Sequence, residues 1–228
     1  MKAILLAAGF GTRLRPLTNN IPKCLVPIKG KPLLEIWLER LSEAEVGPLL
    51  VNTHYLSNQV ELFLESSSLK KQVTLVYEPV LLGTAGTLLA NIDYFEGEDG
   101  MLIHADNYSL ADFKAFIKAH QERPAGCLVT MMTFKTDSPS ECGIVELNRE
   151  GIVVGFHEKV LSPPGNLANG AVYILTKEFV TEIKKVYLDA TDFTNHILGN
   201  FLNRIYSYET KETFVDIGVF DRYEKVNK

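Results

Sequence analysis

After Lys2 the chain runs through Ala3-Ile-Leu-Leu-Ala-Ala8 without a polar side chain, then turns at Gly9-Phe-Gly11-Thr-Arg13. A short apolar run with no alternation reads as a strand buried on both faces, the kind found inside parallel sheets. A parallel strand cannot be joined to its neighbour by a hairpin; it needs a crossover, usually a helix. This one run therefore asks the rest of the chain for helices on both faces of a sheet.

The next hundred residues answer that demand. Residues 32–44 predict a helix that starts at Pro32 and gathers Leu33, Leu34, Trp37, Leu38, Leu41 and Ala44 on one face. Residues 48–53 read as a second strand and 57–65 as a helix with Ser57 as N-cap. Residues 73–77 read as a third strand, 84–92 as a short helix and 101–104 as a fourth strand. Residues 109–120 predict a helix opened by a capping box of Ser109 and Asp112, and 127–132 a fifth strand. The alternation is that of an α/β protein with a Rossmann-like, doubly wound, mostly parallel sheet.

Beyond residue 135 the rhythm changes. Residues 143–147 and 152–156 flank Asn148-Arg-Glu-Gly151 as a hairpin. Residues 171–175, 205–208 and 213–215 read as strands, and 177–186 and 193–201 as helices. The sequence predicts a smaller, more antiparallel lobe here, within one domain, because no linker, repeat or low-complexity tract interrupts the chain.

Charge is distributed unevenly. The first 34 residues hold Lys2, Arg13, Arg15, Lys23, Lys29 and Lys31, and the first acidic residue is Glu35. The whole chain is formally −5, so its remainder sums to −11. The acidic balance argues against a nucleic-acid partner, while a cationic, Gly-bearing N-terminal segment suits a polyphosphate. Cys24, Cys127 and Cys142 show no metal spacing and no C-x-x-C, and read as reduced thiols of a cytoplasmic protein. The opening apolar run is too short, and too closely followed by Arg13 and Arg15, for a secretory leader. No membrane span is expected.

Glycines at positions 9 and 11 let backbone N–H groups approach an anion, although such a turn also serves as a plain tight bend. It is not a Walker A loop, and Leu14 stands where a dinucleotide fingerprint needs its third glycine. Asp106 and Asp216 each follow a strand, where α/β sheets place ligands; they suit either Mg²⁺ with substrate phosphates or ordinary turn capping. Trp37 and Tyr55 read as packing residues, and His54 and His104 as hydrogen-bonded structural histidines. His157 has no evident partner.

Taken together, these segments resemble the sugar-1-phosphate nucleotidyltransferases. The resemblance runs through Leu6-Ala-Ala-Gly-Phe-Gly-Thr-Arg-Leu-Arg-Pro-Leu-Thr18 with Pro22-Lys23, then Pro27-Ile and Lys31-Pro-Leu. It continues in Asn52-Thr-His-Tyr-Leu56, Glu78-Pro and Leu82-Gly-Thr-Ala-Gly86. Ala105-Asp106 stands where the family has Gly-Asp, and Cys142-Gly143, Phe156-His-Glu158-Lys159-Val, Asn169-Gly170 and Val215-Asp216-Ile-Gly218 complete the order. The resemblance implies the nucleotide-diphospho-sugar transferase fold, with residues up to about 135 as a nucleotide-binding half and the rest as a sugar-phosphate half.

It also implies roles. Leu6, Ala8, Gly9, Gly11, Thr12, Arg13, Lys23, Asn52, Gly83, Thr84 and Ala85 would line the nucleotide site. Gly143, Glu158, Lys159, Asn169 and Gly170 would bind the sugar phosphate. Arg13, Lys23, Asp106 and Asp216 would be catalytic, the two aspartates as Mg²⁺ ligands. The implied reaction joins an NTP and a sugar 1-phosphate into an NDP-sugar, releasing pyrophosphate. The segment Leu82–Gly86, the Glu158-Lys-Val sequence and the compact length look most like enzymes using GTP with mannose- or heptose-1-phosphate. Uridylyl- or thymidylyltransferases for aminosugar- or glucose-1-phosphate share nearly the same segments, and a non-catalytic nucleotide-sugar-binding homologue is the competing class. A homodimer is an open expectation.

Overall fold

A computed structural model describes residues 1–228. In chain order its elements are β1 (Lys2–Leu6), β2 (Pro27–Ile28), β3 (Lys31–Pro32), α1 (Leu33–Glu43), β4 (Leu49–Thr53), α2 (Ser57–Ser66) and β5 (Val73–Tyr77). There follow α3 (Gly83–Ala90), β6 (Gly100–His104), β7 (Tyr108–Ser109), α4 (Phe113–Gln121), β8 (Val129–Lys135), β9 (Gly143–Leu147) and β10 (Val153–Glu158). The chain closes with β11 (Leu167–Leu175), α5 (Lys177–Val186), β12 (Ile205–Glu209), β13 (Phe214–Val215) and α6 (Phe220–Asn227).

Nine strands form one sheet. β6, β1, β4 and β5 are parallel neighbours, with Leu6 opposite both His104 and Asn52. β11 enters antiparallel between β6 and β8, and β12 lies parallel on β8. The β9–β10 hairpin joins the start of β11 through Ala168 opposite Ile144. The sheet is mostly parallel, as expected, with the antiparallel pairings concentrated around β11.

Side-chain alternation explains the double winding. Ala3 and Leu5 of β1, Met101 and Ile103 of β6, and Val172 and Ile174 of β11 belong to one core with α1, α2 and α4. Ile4, Leu102, Tyr173 and Leu175 point the other way into a core with α3, α5 and Phe193–Phe201. The period of two in a strand thus gives the apolar run two destinations, and both faces need helical cover.

Local chemistry moved several boundaries. The helix expected from Ser109 begins at Phe113: Asp112 Oδ1 accepts from Ala115 N as the cap, and Ser109 sits in β7 opposite Phe214. Ser57 is already helical, and the cap position belongs to Leu56 in a left-handed conformation with no side-chain cap bond. The strand expected at 127–132 runs from Val129 to Lys135, and it pairs with β11 and β12 rather than with the strands preceding it in sequence. The helix expected at 193–201 is a π-helical turn over Phe193–Ile197 followed by a 3₁₀ turn. Its start is capped: Phe193 N donates to Thr84 Oγ1 (2.8 Å), and Asp192 Oδ1 accepts from Asn195 N (2.7 Å). All three cysteines are unpaired and buried, as read from the sequence. No helix is long and apolar enough to cross a membrane.

Candidate active site

The carboxyl ends of β1, β4 and β6 open into a cavity of about 200 Å³ walled by Leu6, Ala8, Gly9, Lys23, Asn52 and Gly83, among others. Beside it lies a second cavity of about 260 Å³, with Arg13, Gly143, Glu158, Lys159, Asn169 and Asp216 in its wall. Thr84, His104 and Asp106 belong to both walls. Residues from opposite ends of the chain therefore meet in one two-chambered cleft at a sheet's carboxyl edge, where α/β proteins bind ligands.

The first chamber is shaped by buried hydrogen bonds. Asn52 Oδ1 accepts from Ala7 N (2.7 Å), and its amide donates to Glu78 Oε1 (2.9 Å) and Thr87 Oγ1 (3.2 Å). Thr87 donates to the same Glu78 oxygen, and Leu82 N donates to the other (2.6 and 3.2 Å). A buried carboxylate with this many donors is well satisfied, so it locks β1, β4 and the start of α3 together. Asn52, expected at the base or ribose, spends its polar atoms on this network. Gly83 has φ +78°, and a Cβ there would lie 2.3 Å from the Thr191 carbonyl oxygen, so only glycine admits the 190–193 segment.

The signature turn divides its labour. Gly9 faces the chamber, whereas Gly11 and Thr12 build the turn behind it. Gly11 adopts φ +62°, and its carbonyl accepts from Thr18 Oγ1 (2.7 Å). Tyr55 ties the same loop by donating to the Thr18 and Asn19 carbonyls. Ala85 is fully buried, with its N–H on the Thr191 carbonyl.

Lys23 is buried and donates to Asp106 Oδ2 at 2.8 Å. Burial alone would raise the Asp106 carboxyl, but the Lys23 charge and hydrogen bond, helped by His104, hold it below the usual range. Across the cleft, Arg222 Nη1 donates to Asp216 Oδ2 at 3.2 Å, and Arg222 also pairs with Glu141. The Arg13 guanidinium lies close by: a Cβ on Gly218 would meet it at 2.8 Å and Asp216 Oδ1 at 2.7 Å. Each candidate metal carboxylate thus has an internal cation on it, Lys23 on Asp106 and Arg222 on Asp216. Ala105, in place of the family's glycine, is buried without a positive φ, so that departure is accommodated.

The second chamber is looser. Glu158 and Lys159 pair with each other at 3.1 Å, and Lys159 is exposed. A Cβ on Gly143 would meet Glu158 Oε2 at 2.5 Å and the Phe156 ring at 2.6 Å. β11 bulges between Asn169 and Tyr173, where Ala171 takes φ +54° and Asn169 Nδ2 donates to the Tyr173 hydroxyl (2.7 Å). Gly170 packs against the Met132 carbonyl and Phe214 rather than facing the cavity. Of the residues expected in the site, Gly11, Thr12, Ala85 and Gly170 shape walls from behind, and the remainder line them.

Several residues in or beside these walls are given no role by the sequence. Glu78 and Thr87 lie in or beside a motif but act through burial, and Asp192, Thr194 and Asn195 arrive from a segment that reads as ordinary helix. Arg222 follows Asp216 by six residues, a spacing with no motif behind it. The histidines divide. His54 is structural as expected, paired with the Glu78 carbonyl, and His157 finds Glu146. His104 corrects the structural reading: its Nε2 is buried without a partner, and burial holds its pKa below the ordinary value against the pull of Asp106 and Asp192.

The family model for "Nucleotidyl transferase" matches residues 2–228. The mannose-1-phosphate guanyltransferase of Schizosaccharomyces pombe is 31% identical over 234 aligned residues, covering 96% of this chain and 61% of that protein. The mannose-1-phosphate guanylyltransferase of Mycobacterium tuberculosis is 29% identical, covering 95% of this chain and 60% of that protein. The chain thus spans about three fifths of these relatives' length. Among solved structures, HddC of Yersinia pseudotuberculosis complexed with GMP-PN superposes with a TM-score of 0.82 at 26% identity, covering 99% of this chain and 97% of that one.

Proposed function

The chain belongs to the nucleotidyl transferase family, and on that premise we propose that it transfers a nucleotidyl group from an NTP to a sugar 1-phosphate, releasing pyrophosphate. The observation that carries the reading is the two-chambered cleft: one chamber walled by the glycine turn and Lys23, the other by Glu158, Lys159 and Asn169, joined at Asp106.

The nucleophile is a phosphate monoester oxygen, already largely dianionic at neutral pH because a phosphate's second pKa is near 6. It attacks the α-phosphorus in line and pyrophosphate leaves. No side chain needs to deprotonate it, and the cleft has no Ser–His or Cys–His pair. The barrier is repulsion between two polyanions. Gly9 admits the triphosphate against backbone N–H groups. Lys23 and Arg13 offset charge at the reacting phosphates, Lys159 holds the sugar's phosphate, and the rigid first chamber fixes their approach.

Mg²⁺ fits this donor set. Asp106 and Asp216 present hard oxygen ligands on one cavity, and no cluster of three or more His, Cys, Asp or Glu side chains forms a closed cage. Two carboxylates with remaining positions for phosphate oxygens suit Mg²⁺, which when bound supplies positive charge to the phosphates. The relatives' names favour GTP with mannose 1-phosphate, and the HddC complex with GMP-PN favours a guanine nucleotide. The deciding experiment is a pyrophosphate-release matrix of four NTPs against mannose-, heptose-, glucose- and aminosugar-1-phosphates. Pyrophosphate with GTP and mannose- or heptose-1-phosphate is expected. Release with UTP or dTTP alone would overturn the guanylyl assignment, and silence in every well would overturn the enzyme.

A further inference from the structure

The two candidate metal carboxylates stand on unequal supports. Asp106 follows β6, a central strand of the nine-stranded sheet, paired with β1 and β11. Asp216 follows β13, two residues long and paired only with the two-residue β7, outside that sheet. A metal ligand needs an orientation fixed by its surroundings, and so short a pair of strands is too weak to fix one alone.

The hold comes from α6. Asp216 Oδ1 accepts from Gly218 N at 2.8 Å, within its own turn. Its Oδ2 accepts from Arg222 Nη1 at 3.2 Å, and the other arm of that guanidinium, Nη2, pairs with Glu141. A carboxylate oxygen accepts on two sides, so each oxygen keeps one side for a metal. Asp216 and Glu141 lie in the wall of the second chamber, but Arg222 lies in neither chamber's wall. It lines a separate cavity of about 400 Å³ that Asp216 also borders. Lys23, on Asp106, faces the first chamber and can meet a phosphate, whereas Arg222 has only the two carboxylates to act on.

α6 is anchored without Arg222. Tyr223 donates to the Pro27 carbonyl (2.9 Å), Asn227 accepts from Lys29 N (2.7 Å), and Val226 joins the core. The helix is therefore pinned to β2 and the turn after it, and Arg222 carries that fixed point to Asp216. Charge points the same way. A lone cation on a metal ligand would repel the metal. Glu141 on the same guanidinium cancels it, so the three side chains together keep the charge of one carboxylate.

We propose that Arg222 is a positioning residue for the metal: it holds Asp216 from outside the chamber, and Glu141 offsets its charge so that Asp216 still takes Mg²⁺. The inference rests on the nucleotidyltransferase reading with Asp106 and Asp216 as metal ligands.

The test separates geometry from charge. Arg222→Met combined with Glu141→Gln removes the clamp and leaves the net charge unchanged. Mn²⁺ binding to the full chain, without nucleotide, is read from water-proton relaxation. The double variant should raise the Mn²⁺ Kd about tenfold, the low end for residues that hold a metal ligand. In pyrophosphate release, the Mg²⁺ concentration giving half the maximal rate should rise likewise, and excess Mg²⁺ should restore most of kcat. Arg222→Lys keeps the charge but not the fork, so its Kd should fall between the two, and it carries the test if the double variant does not fold. An Mn²⁺ Kd that stays put or tightens in the folded variants, whatever the urea midpoint does, would overturn the proposal. So would a loss of kcat that excess Mg²⁺ does not relieve. A wild type that releases pyrophosphate but binds no Mn²⁺ would overturn this inference alone. A wild type silent with every substrate pair would instead fail the enzyme reading, and this inference with it.

Discussion

The two chambers of the cleft are held by different physics. The nucleotide-side wall is locked by buried hydrogen bonds: Asn52, Glu78 and Thr87 are almost inaccessible and satisfy one another across β4, α3 and the turn after β1. The sugar-side wall relies on the partly exposed Glu158–Lys159 pair and a bulge in β11. Buried networks have one good arrangement, whereas exposed pairs are worth little and rearrange cheaply. The contrast assigns rigidity to the half that would take the common polyphosphate, and adjustability to the half that would discriminate among sugars.

The largest way to break that contrast is at its junction. Lys23→Ala should remove ~3 kcal/mol of transition-state stabilisation, roughly a hundredfold in turnover, as single electrostatic groups do in water-poor sites. Steady-state pyrophosphate release measures it, and near-normal turnover would count heavily against the catalytic role given to Lys23.

Next comes Gly83→Ala. A left-handed φ combined with a Cβ driven onto the Thr191 carbonyl should cost about 2 kcal/mol or more, read as a lower urea midpoint. Gly9→Ala is the control: no atom lies within 4 Å of its Cβ, so stability should stay within about 0.5 kcal/mol. Equal midpoints for the two variants would remove the special standing of Gly83.

Glu78→Gln turns an acceptor of three donors into an amide and should cost about 1–2 kcal/mol in chemical denaturation. Lys159→Ala, on the other wall, should change stability by less than about 0.5 kcal/mol and act instead on KM for the sugar phosphate. If Lys159→Ala proved the more destabilising of the two, the contrast between the walls would be wrong.

The smallest effect is a pH dependence away from the cleft. Burial, with Arg123 nearby, holds His120 below its ordinary value of 6.5, although Asp99 pulls the other way. The unfolded chain therefore takes up the proton first as pH falls through about 6.5. The stability contribution is present above that pH and is lost on acidification towards the folded pKa. His120→Gln should flatten the fall of Tm between pH 6.5 and 5, and an unchanged slope would assign that fall to other groups.

Much of the fold was legible because its signals are local. The unbroken run after Lys2 and the amphipathic faces of α1 and α5 follow from which residues prefer water. The errors arose where a distant partner outbid a local preference. Ser109 looks like a cap but pairs in β7 with Phe214, more than a hundred residues away. Most residues named from contiguous motifs fall in the cleft walls, while Asp192 and Thr194, and Arg222 beside Asp216, were not named, since nothing in their own neighbourhood marks them. His104 shows the limit most plainly: its residue type suggests a satisfied structural histidine, and only the absence of any neighbouring partner says otherwise.

By itself, the sequence determined a doubly wound, mostly parallel sheet, a cationic glycine turn at its edge and the family to which that turn belongs. Those properties depend on periodicity and on backbone freedom at a few positions, which short stretches of chain carry. Tertiary structure alone decided that Lys23 would neutralise Asp106 and Arg222 would neutralise Asp216. It also decided that Asn52 would brace the wall, and that His104 would stand unpaired between the chambers. Charge pairing and desolvation act through space, between residues remote in sequence for Lys23 and Asp106 and six apart for Arg222 and Asp216, so they are settled only once the chain has folded.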